Sequence, residues 1–277
     1  MNEKRGPIGI FDSGYGGLTI LSAIRDLMPE YDYIYLGDNA RAPYGNRSFE
    51  IVYEFTLQSV KKLFDMGCQL VILGCNTASA KALRSIQQND LPQLDPTRRV
   101  LGVIRPTVEV IGDITKTKHI GIIATKGTID SESYQLEINK LFPDIIVNGM
   151  ACPMLVPLIE NNEFESDGAD YFVKKYIDNL LNKDSNIDSI ILGCTHYPII
   201  IEKIRKYTPD NITLVTQGDY VAKSLKDYLK RHSDMESRCT KNGTTTFLTT
   251  ECINKFKESA ALFLKDEDIN VSSIILK

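Results

Sequence analysis

Residues 70–77 read Leu70-Val71-Ile72-Leu73-Gly74-Cys75-Asn76-Thr77, an aliphatic run followed by glycine, cysteine and two polar residues. A second stretch, Ser189-Ile190-Ile191-Leu192-Gly193-Cys194-Thr195-His196, follows the same pattern. Continuous aliphatic runs of this length are typical of strands buried on both faces of a parallel sheet. Any two such strands can share Ile, Val and Leu by chance, but the shared Gly-Cys is less trivial. The pair predicts two related halves, each with a cysteine at the end of a buried strand.

Strands and helices alternate along the rest of the chain. Between the apolar runs, hydrophobic residues recur at intervals of three and four, as they do on one face of a helix. This alternation predicts an α/β fold with parallel sheets covered on both faces, in which ligands bind beyond the carboxyl ends of the strands. The polar segment 89–99, which contains two prolines, is predicted to cross between two units. Strands are predicted at 8–11, 33–36, 70–73, 100–104, 120–124, 189–192, 212–215 and 244–248.

Composition excludes several classes of protein. The chain has 277 residues, of which 43% are hydrophobic and 25% charged, as in ordinary globular proteins. A net charge of -4 argues against a nucleic-acid partner, which usually requires a basic surplus. No stretch approaches the roughly 18 apolar residues of a membrane helix, and the N-terminal segment does not resemble a signal peptide. A cytoplasmic enzyme or binding protein is therefore expected.

The six cysteines show neither disulfide nor metal-site spacing, so most are expected to be buried and inert. Cys75 and Cys194 differ, because each precedes a predicted helix, whose N-terminus lowers the pKa of a thiol. His196 lies on the same side of the chain as Cys194 if the turn is extended, and it can then share that cysteine's proton. The alternative is an ordinary loop histidine. Cys152 is expected to pack in the core.

Two loops belong to the same predicted sheet edge. Residues 12–17, Asp-Ser-Gly-Tyr-Gly-Gly, connect a strand to a helix, where glycines allow a ligand to approach the backbone. Thr19 stands where a dinucleotide motif requires glycine, so a small anion such as a carboxylate is favoured over a nucleotide. The alternative is a tight turn capped by Asp12 or Ser13. Residues 38–45 follow the second strand and are the other candidate binding loop.

Two activated cysteines in matching positions favour one type of reaction. Inversion of a carbon stereocentre by proton transfer needs a base on one face and an acid on the other. A cysteine hydrolase or lyase needs one nucleophilic thiol and leaves the second unexplained. A sensor of small carboxylates without catalytic activity is a third possibility.

The chain resembles the glutamate racemase family of cofactor-independent amino-acid racemases over nearly its whole length. Five segments in family order carry the resemblance: 9–17, 43–45, 74–80, 152–160 and 193–198. It implies two similar three-layer αβα domains related by a pseudo-two-fold axis, one formed by 1–98 and 212–277 and the other by 99–211. The active site would lie in the cleft between them.

The resemblance also implies the reaction. L- and D-glutamate would be interconverted without pyridoxal phosphate, other cofactors or metal, and D-glutamate would supply peptidoglycan synthesis. Aspartate racemase is the nearest alternative. A homodimer that binds neither nucleic acid nor membranes is expected. Arg105 departs from the family pattern, which more often has an acidic or small residue there.

The resemblance assigns roles to particular residues. Cys75 matches the thiol that works on D-glutamate, with Asp12 assisting it. Cys194 matches the thiol that works on L-glutamate, assisted by His196, which Glu160 orients. Substrate contacts are implied for Asp12, Ser13, Pro43, Tyr44, Gly45, Asn76, Thr77, Thr195 and His196.

Overall fold

The structure is a computed structural model that describes residues 5–264 and 269–276. The described residues form ten strands, and each pair of neighbouring, hydrogen-bonded strands is parallel. The strands are β1 (Ile8–Asp12), β2 (Tyr33–Gly37), β3 (Leu70–Leu73), β4 (Arg99–Gly102), β5 (His119–Ala124), β6 (Ile146–Ala151), β7 (Ser189–Gly193), β8 (Thr213–Val215), β9 (Thr245–Thr249) and β10 (Val271–Ser273).

Helices separate most of these strands, with 3₁₀ turns at Asn39–Arg41 and Tyr197–Ile200 and a π turn at Ile86–Asp90. None of the helices in the described ranges has the length and apolarity that crossing a membrane requires. They are α1 (Leu18–Leu27), α2 (Phe49–Asp65), α3 (Asn76–Lys81), α4 (Leu83–Ser85), α5 (Leu91–Leu94), α6 (Ile104–Ile114), α7 (Lys126–Asp130), α8 (Ser133–Leu141), α9 (Leu155–Glu160), α10 (Asp167–Leu181), α11 (Ile201–Lys206), α12 (Gly218–Arg231), α13 (Ser233–Ser237) and α14 (Ile253–Ala260).

Two parallel sheets organise the fold. The first has six strands in the order β10-β9-β2-β1-β3-β4, and the second has four in the order β6-β5-β7-β8. The predicted α/β class is therefore confirmed. The first sheet takes strands from both ends of the chain, whereas the second is built from its middle. Strands β6 and β10 were not predicted: both are edge strands with exposed residues, and neither forms a continuous aliphatic run.

Strand pairing corrects the predicted boundaries of the two units. β4 falls inside 99–211, but it pairs with β3 in the six-stranded sheet. β8 falls inside 212–277, but it pairs with β7 in the four-stranded sheet. The segment 89–99 leads from β3 to β4 within one sheet and does not cross between units. An aliphatic run predicts that a strand exists, but its sheet depends on tertiary contacts that periodicity does not contain.

The register of the strands brings the candidate loops together. In the first sheet Phe11 pairs with Leu73, so the segments after β1 and β3 leave the same edge. In the second sheet Ala124 pairs with both Ala151 and Gly193, so three more segments leave one edge. Hydrogen bonds join the two edges, as between Thr77 Oγ1 and Thr125 Oγ1 at 2.9 Å. The carboxyl ends of the two sheets therefore face each other.

Candidate active site

One cavity lies between the two sheet edges and contains both candidate thiols. Its volume is ≈ 40 Å³, about enough for three water molecules. Asp12 is the one predicted site residue that does not line it; this carboxylate is fully buried beside it. The predicted residues that line the cavity are Ser13, Pro43, Tyr44, Gly45, Cys75, Asn76, Thr77, Glu160, Cys194, Thr195 and His196.

Cys75 caps the N-terminus of α3, as the sequence predicts. Its Sγ accepts a hydrogen bond from Ala78 N at 3.4 Å and lies 3.3 Å from Ser13 Oγ. Burial and the charge of Asp12 nevertheless raise the pKa of Cys75 to about 12, although the hydrogen bonds to Ser13 and Ala78 oppose them. The expected lowering of this pKa is therefore wrong. The helix N-terminus is a weaker influence here than desolvation and a neighbouring carboxylate.

Asp12 ends β1 and is held by the glycine loop that follows it. Gly14 N donates to Asp12 Oδ2 at 2.9 Å. Burial raises the pKa of Asp12, whereas the nearby positive charge of His196 lowers it. A Cβ at position 17 would lie 2.5 Å from Asp12 Cβ, so only glycine allows the loop to pass this closely. The raised pKa brings the proton affinity of the carboxylate closer to that of a thiol.

Cys194, His196 and Glu160 form a hydrogen-bonded chain at the other side of the cavity. His196 Nδ1 lies 3.8 Å from Cys194 Sγ, and His196 Nε2 donates to Glu160 Oε1 at 2.9 Å. Burial lowers the pKa of His196, but the hydrogen bonds with Cys194 and Glu160 outweigh it and raise the pKa to about 10. These hydrogen bonds therefore favour the imidazolium form of His196, with Cys194 Sγ near one nitrogen and a carboxylate at the other.

The glycine loop also packs against the turn that carries His196. A Cβ at position 16 would lie 2.4 Å from His196 Nδ1 and 2.4 Å from Thr195 Oγ1. Thr19 Oγ1 donates to Thr195 O at 3.1 Å across the two units. Glycine at position 16 is therefore required by close approach to the site and not by a turn alone.

The loop with Pro43, Tyr44 and Gly45 forms one wall of the cavity, but the hydroxyl of Tyr44 is not free. It donates to Asp38 Oδ2, which also accepts from Arg41 Nε at 2.6 Å. Gly45 O accepts from Gly127 N at 2.7 Å and so joins the loop to the second unit. The hydrogen-bonding groups that this loop can still offer a substrate are therefore those of its backbone.

Asn76 and Thr77 are tied to residues that the sequence did not reveal. Thr77 Oγ1 lies 2.9 Å from Thr125 Oγ1, and Asn76 Nδ2 donates to Gln217 Oε1 at 2.6 Å. Tyr134 Oη donates to Asn76 Oδ1 at 2.7 Å. Thr125 follows β5 directly, so its strand-end position was a usable signal. Gln217 and Tyr134 belong to no recognisable motif.

Cys152 also lines the cavity, so the expectation that it only packs was incomplete. It is 1% exposed and lies in the apolar core with Cys194. Burial raises the pKa of its thiol, which disfavours a role as a base. Of the remaining cysteines, Cys68 and Cys239 are buried away from the site, and Cys252 is exposed. In the described part of the chain no cluster of His, Cys, Asp or Glu is arranged to hold a metal ion.

A larger cavity of ≈ 550 Å³ lies among α6, α8 and α12, but neither cysteine nor histidine lines it. Size alone therefore does not locate the chemistry. Arg105 stands at this cavity and forms ion pairs with Glu109 at 2.9 Å and with Glu137 at 3.0 Å. The pair with Glu137 links α6 to α8, and the pair with Glu109 lies within α6, so the unusual arginine has a structural role.

Known proteins are similar to this chain in both sequence and fold. The family model described as Asp/Glu/Hydantoin racemase matches residues 19–225. A glutamate racemase of Roseobacter denitrificans is 39% identical over 268 residues, which cover 93% of this chain and 96% of the relative. The crystal structure of glutamate racemase isoform RacE1 from Bacillus anthracis matches with a TM-score of 0.89 and 32% identity, covering 99% of this chain and 98% of that one. That of the Francisella tularensis glutamate racemase with D-glutamate matches with a TM-score of 0.87 and 34% identity, with the same coverage. The chain belongs to the Asp/Glu/hydantoin racemase family.

Proposed function

We propose that this chain interconverts L- and D-glutamate by proton transfer at the α-carbon, with Cys75 and Cys194 as the two acid-base groups. The observation that carries the proposal is that the two thiols come from the ends of β3 and β7, in different sheets, and line one small cavity. Groups on opposite walls can reach opposite faces of one carbon, as inversion requires. The names of its relatives support glutamate as the substrate.

The proton inventory of each direction is simple. With D-glutamate, the Cys75 thiolate removes the α-proton and becomes a thiol, and the Cys194 thiol then donates its proton to the opposite face. This leaves L-glutamate and a Cys194 thiolate. With L-glutamate the two residues exchange roles. After each turnover the cysteine that acted as the base is protonated and the one that acted as the acid is deprotonated. Both must exchange protons with their surroundings before the next turnover in the same direction.

Neighbouring groups can carry out that exchange. His196 contacts the thiol of Cys194 and can give it a proton or hold one while Cys194 acts as the base. Asp12 is close enough for its charge to raise the pKa of Cys75. We assign His196 to Cys194 and Asp12 to Cys75, with Glu160 orienting the imidazole through its other nitrogen.

The α-proton of an amino acid is a very weak acid, so the site must stabilise the carbanion that forms. Negative charge develops on the α-carboxylate, and donors held in place around it lower the barrier most in a dry cavity. Ser13, Asn76, Thr77 and Thr195 supply polar groups there, and the loop with Pro43, Tyr44 and Gly45 supplies backbone groups. We assign substrate binding to these residues.

The small volume of the cavity implies movement during turnover. A volume of ≈ 40 Å³ holds roughly three water molecules, whereas glutamate has ten non-hydrogen atoms. The contacts between the two edges, such as Gly127 N to Gly45 O at 2.7 Å, must loosen to admit it. We propose that the units separate for exchange of substrate and close for chemistry, which excludes water from the carbanion.

The proposal is tested by following optical rotation with each enantiomer of glutamate, and with each enantiomer of aspartate, on purified protein. Glutamate should lose its rotation from either side, and Cys75→Ala and Cys194→Ala should each abolish this. Reaction with aspartate alone would make the chain an aspartate racemase. A covalent adduct on one cysteine, with the other dispensable, would indicate a hydrolase or lyase.

The cellular role is proposed on the same basis. D-glutamate made here would enter peptidoglycan. A chain whose described cysteines are all free is suited to the reducing cytoplasm. From the family resemblance alone, we propose a homodimer that needs no cofactor. Cells that lack the protein should then need D-glutamate to grow. Light scattering on the purified protein should give twice the chain mass, and a monomer mass would contradict the dimer.

A further inference from the structure

Gln217 lies between β8 and α12, outside every segment that the sequence singled out, and is 3% exposed. Its Oε1 accepts from Asn76 Nδ2 at 2.6 Å, and its Nε2 donates to Tyr134 Oη at 2.8 Å. Tyr134 Oη in turn donates to Asn76 Oδ1 at 2.7 Å. The three side chains therefore form a closed ring of hydrogen bonds, each donating to the next.

The direction of this ring is set by a backbone carbonyl. A primary amide can turn over and exchange its donor for its acceptor, so the ring alone would allow either direction. Val103 O, which can only accept, lies 3.3 Å from Gln217 Nε2. Thr107 Oγ1 accepts from the same nitrogen at 3.1 Å while its own hydroxyl donates to Val103 O. Gln217 must therefore point its nitrogen at the carbonyl and its oxygen at Asn76.

The ring touches both cysteine turns. Asn76 follows Cys75 directly and lines the cavity between the thiols. Tyr134 packs against the other turn: a Cβ added to Gly193, the residue before Cys194, would lie 3.3 Å from Tyr134 Cε2. A displacement of Tyr134 would therefore be felt on both sides of the cavity.

We infer that Gln217 is a positioning residue that fixes the amide of Asn76 with its nitrogen available to the substrate. Hydrogen bonds within the described residues use one of the two Nδ2 hydrogens of Asn76, which leaves the other for a ligand in the cavity. The inference rests on the proposed function, because a donor at this place serves a carboxylate that gains negative charge. If Asn76 turned over, it would present an oxygen there and repel the anion.

This role predicts an effect on turnover as well as on binding. A donor whose acceptor gains charge in the transition state contributes more to that state than to the bound substrate. Gln217→Met keeps the volume and removes both polar atoms. It should lower kcat/KM by about 10- to 100-fold in both directions, with most of the loss in kcat. Gln69→Met is the matched control, because Gln69 is a similarly buried amide directly before β3, at the end of the strand away from the cavity. This control variant should keep the kcat of the unaltered chain.

A second variant separates orientation from stability. In Gln217→Glu a carboxylate cannot donate to Val103 O, whereas the protonated acid regains one donor. The ratio of kcat/KM for this variant to that of the unaltered chain should therefore rise as pH falls from about 9 to about 6. Tyr134→Phe keeps the aromatic side chain packed against Gly193 and removes its hydroxyl. In the double variant with Gln217→Met, the loss of kcat/KM should be smaller than the two single losses added together, because both substitutions break the same ring of hydrogen bonds. If Gln217→Met does not fold, the pH dependence of Gln217→Glu decides alone.

The outcomes separate the two proposals. An unaltered chain that does not racemise glutamate overturns the proposed function. If the unaltered chain racemises glutamate and the kcat of Gln217→Met stays within about twofold of it, only the inference on Gln217 is overturned. The same conclusion follows if the Gln217→Glu ratio does not change with pH. Equal losses of kcat in Gln217→Met and Gln69→Met would also overturn it, because the effect would then be one of stability.

Discussion

Replacing Glu160 with glutamine tests how the charge on His196 is held. Glu160 Oε1 accepts from His196 Nε2 at 2.9 Å, and the side chain of His196 is 5% exposed. Glutamine has nearly the same shape and keeps an acceptor oxygen, but it removes the negative charge. The substitution therefore changes the electrostatics of one hydrogen bond and little of the packing.

The size of the effect follows from that hydrogen bond. An opposite charge at this distance shifts a neighbouring pKa by about one to three units, so its removal costs the imidazolium at least about 1.4 kcal/mol. This corresponds to a fall of about one in the pKa of His196, since each pKa unit is about 1.4 kcal/mol. The starting value is raised to about 10 by Cys194 and Glu160 together, against burial.

The sign of the shift is unambiguous. A lower pKa means that His196 loses its proton at lower pH, so the basic limb of the rate profile should move down by about one pH unit. Initial rates measured by polarimetry from each enantiomer, between about pH 6 and pH 11, give that limb directly. Glu163→Gln is the matched control, because Glu163 is exposed and lies three residues further along the chain; its profile should match that of the unaltered chain.

Two results would show that Glu160 does not stabilise the charge on His196. One is a Glu160→Gln profile whose basic limb coincides with that of the control. The other is a limb displaced to higher pH, which would mean that Glu160 disfavours the imidazolium. Either would remove the basis for assigning His196 as the proton carrier of Cys194.

Three further substitutions have expected outcomes. Gly16→Ala should lower kcat at least about tenfold without unfolding the chain, because the new methyl group would overlap His196; activity and circular dichroism melts check this. With D-glutamate as substrate, Ser13→Ala should move the acid limb of the pH–rate profile to higher pH, since the Ser13 hydrogen bond lowers the pKa of Cys75. Asp188→Asn should cost about 1–2 kcal/mol of unfolding free energy at pH 7. The pKa of Asp188 is lowered to about 2 by bonds to Thr115 and nearby amides, despite burial. Its contribution is therefore present above its ordinary pKa and is lost as pH falls through about 2, which urea unfolding at several pH values would show.

Each of these substitutions has a control in the chain. Gly168→Ala on α10 should be harmless, because the nearest atom to its added Cβ is 3.5 Å away. Ser185→Ala and Asp210→Asn change exposed side chains and should leave the pH profile and the unfolding free energy unchanged. An active Gly16→Ala enzyme, an unmoved Ser13→Ala limb or an Asp188→Asn chain of normal stability would each contradict the corresponding assignment.

The parts of the site that sequence could predict are those placed by strand ends. Asp12, Cys75 and Cys194 each follow a buried aliphatic run. Parallel strands of one sheet end on the same side, so the proximity of Asp12 and Cys75 follows from the pattern, whereas Cys194 ends a strand of the other sheet. The resemblance to a known family then suggested their partners. Edge strands such as β4 and β8 were assigned to the wrong unit, because the choice of sheet is made by tertiary contacts.

Two features of the site were out of reach for the same reason. The pKa of Cys75 was expected to fall because a helix begins there, but burial and Asp12, which is distant in sequence, raise it. Gln217 acts through Asn76 and Tyr134, which lie 141 and 83 residues away in the chain. A local pattern records neither desolvation nor a hydrogen bond of that span.

In the proposed reaction two different thiols serve the two faces of the α-carbon, and isotope placement during early turnover distinguishes this from a reaction with a single base. L-glutamate is incubated in D₂O with the purified protein, the reaction is stopped early, and the two enantiomers are separated and weighed by mass spectrometry. With two bases, the first D-glutamate should carry deuterium at the α-carbon while the remaining L-glutamate keeps its proton. Early D-glutamate that retains the original proton, or deuterium that enters the remaining L-glutamate as fast as product forms, would mean that a single base serves both faces.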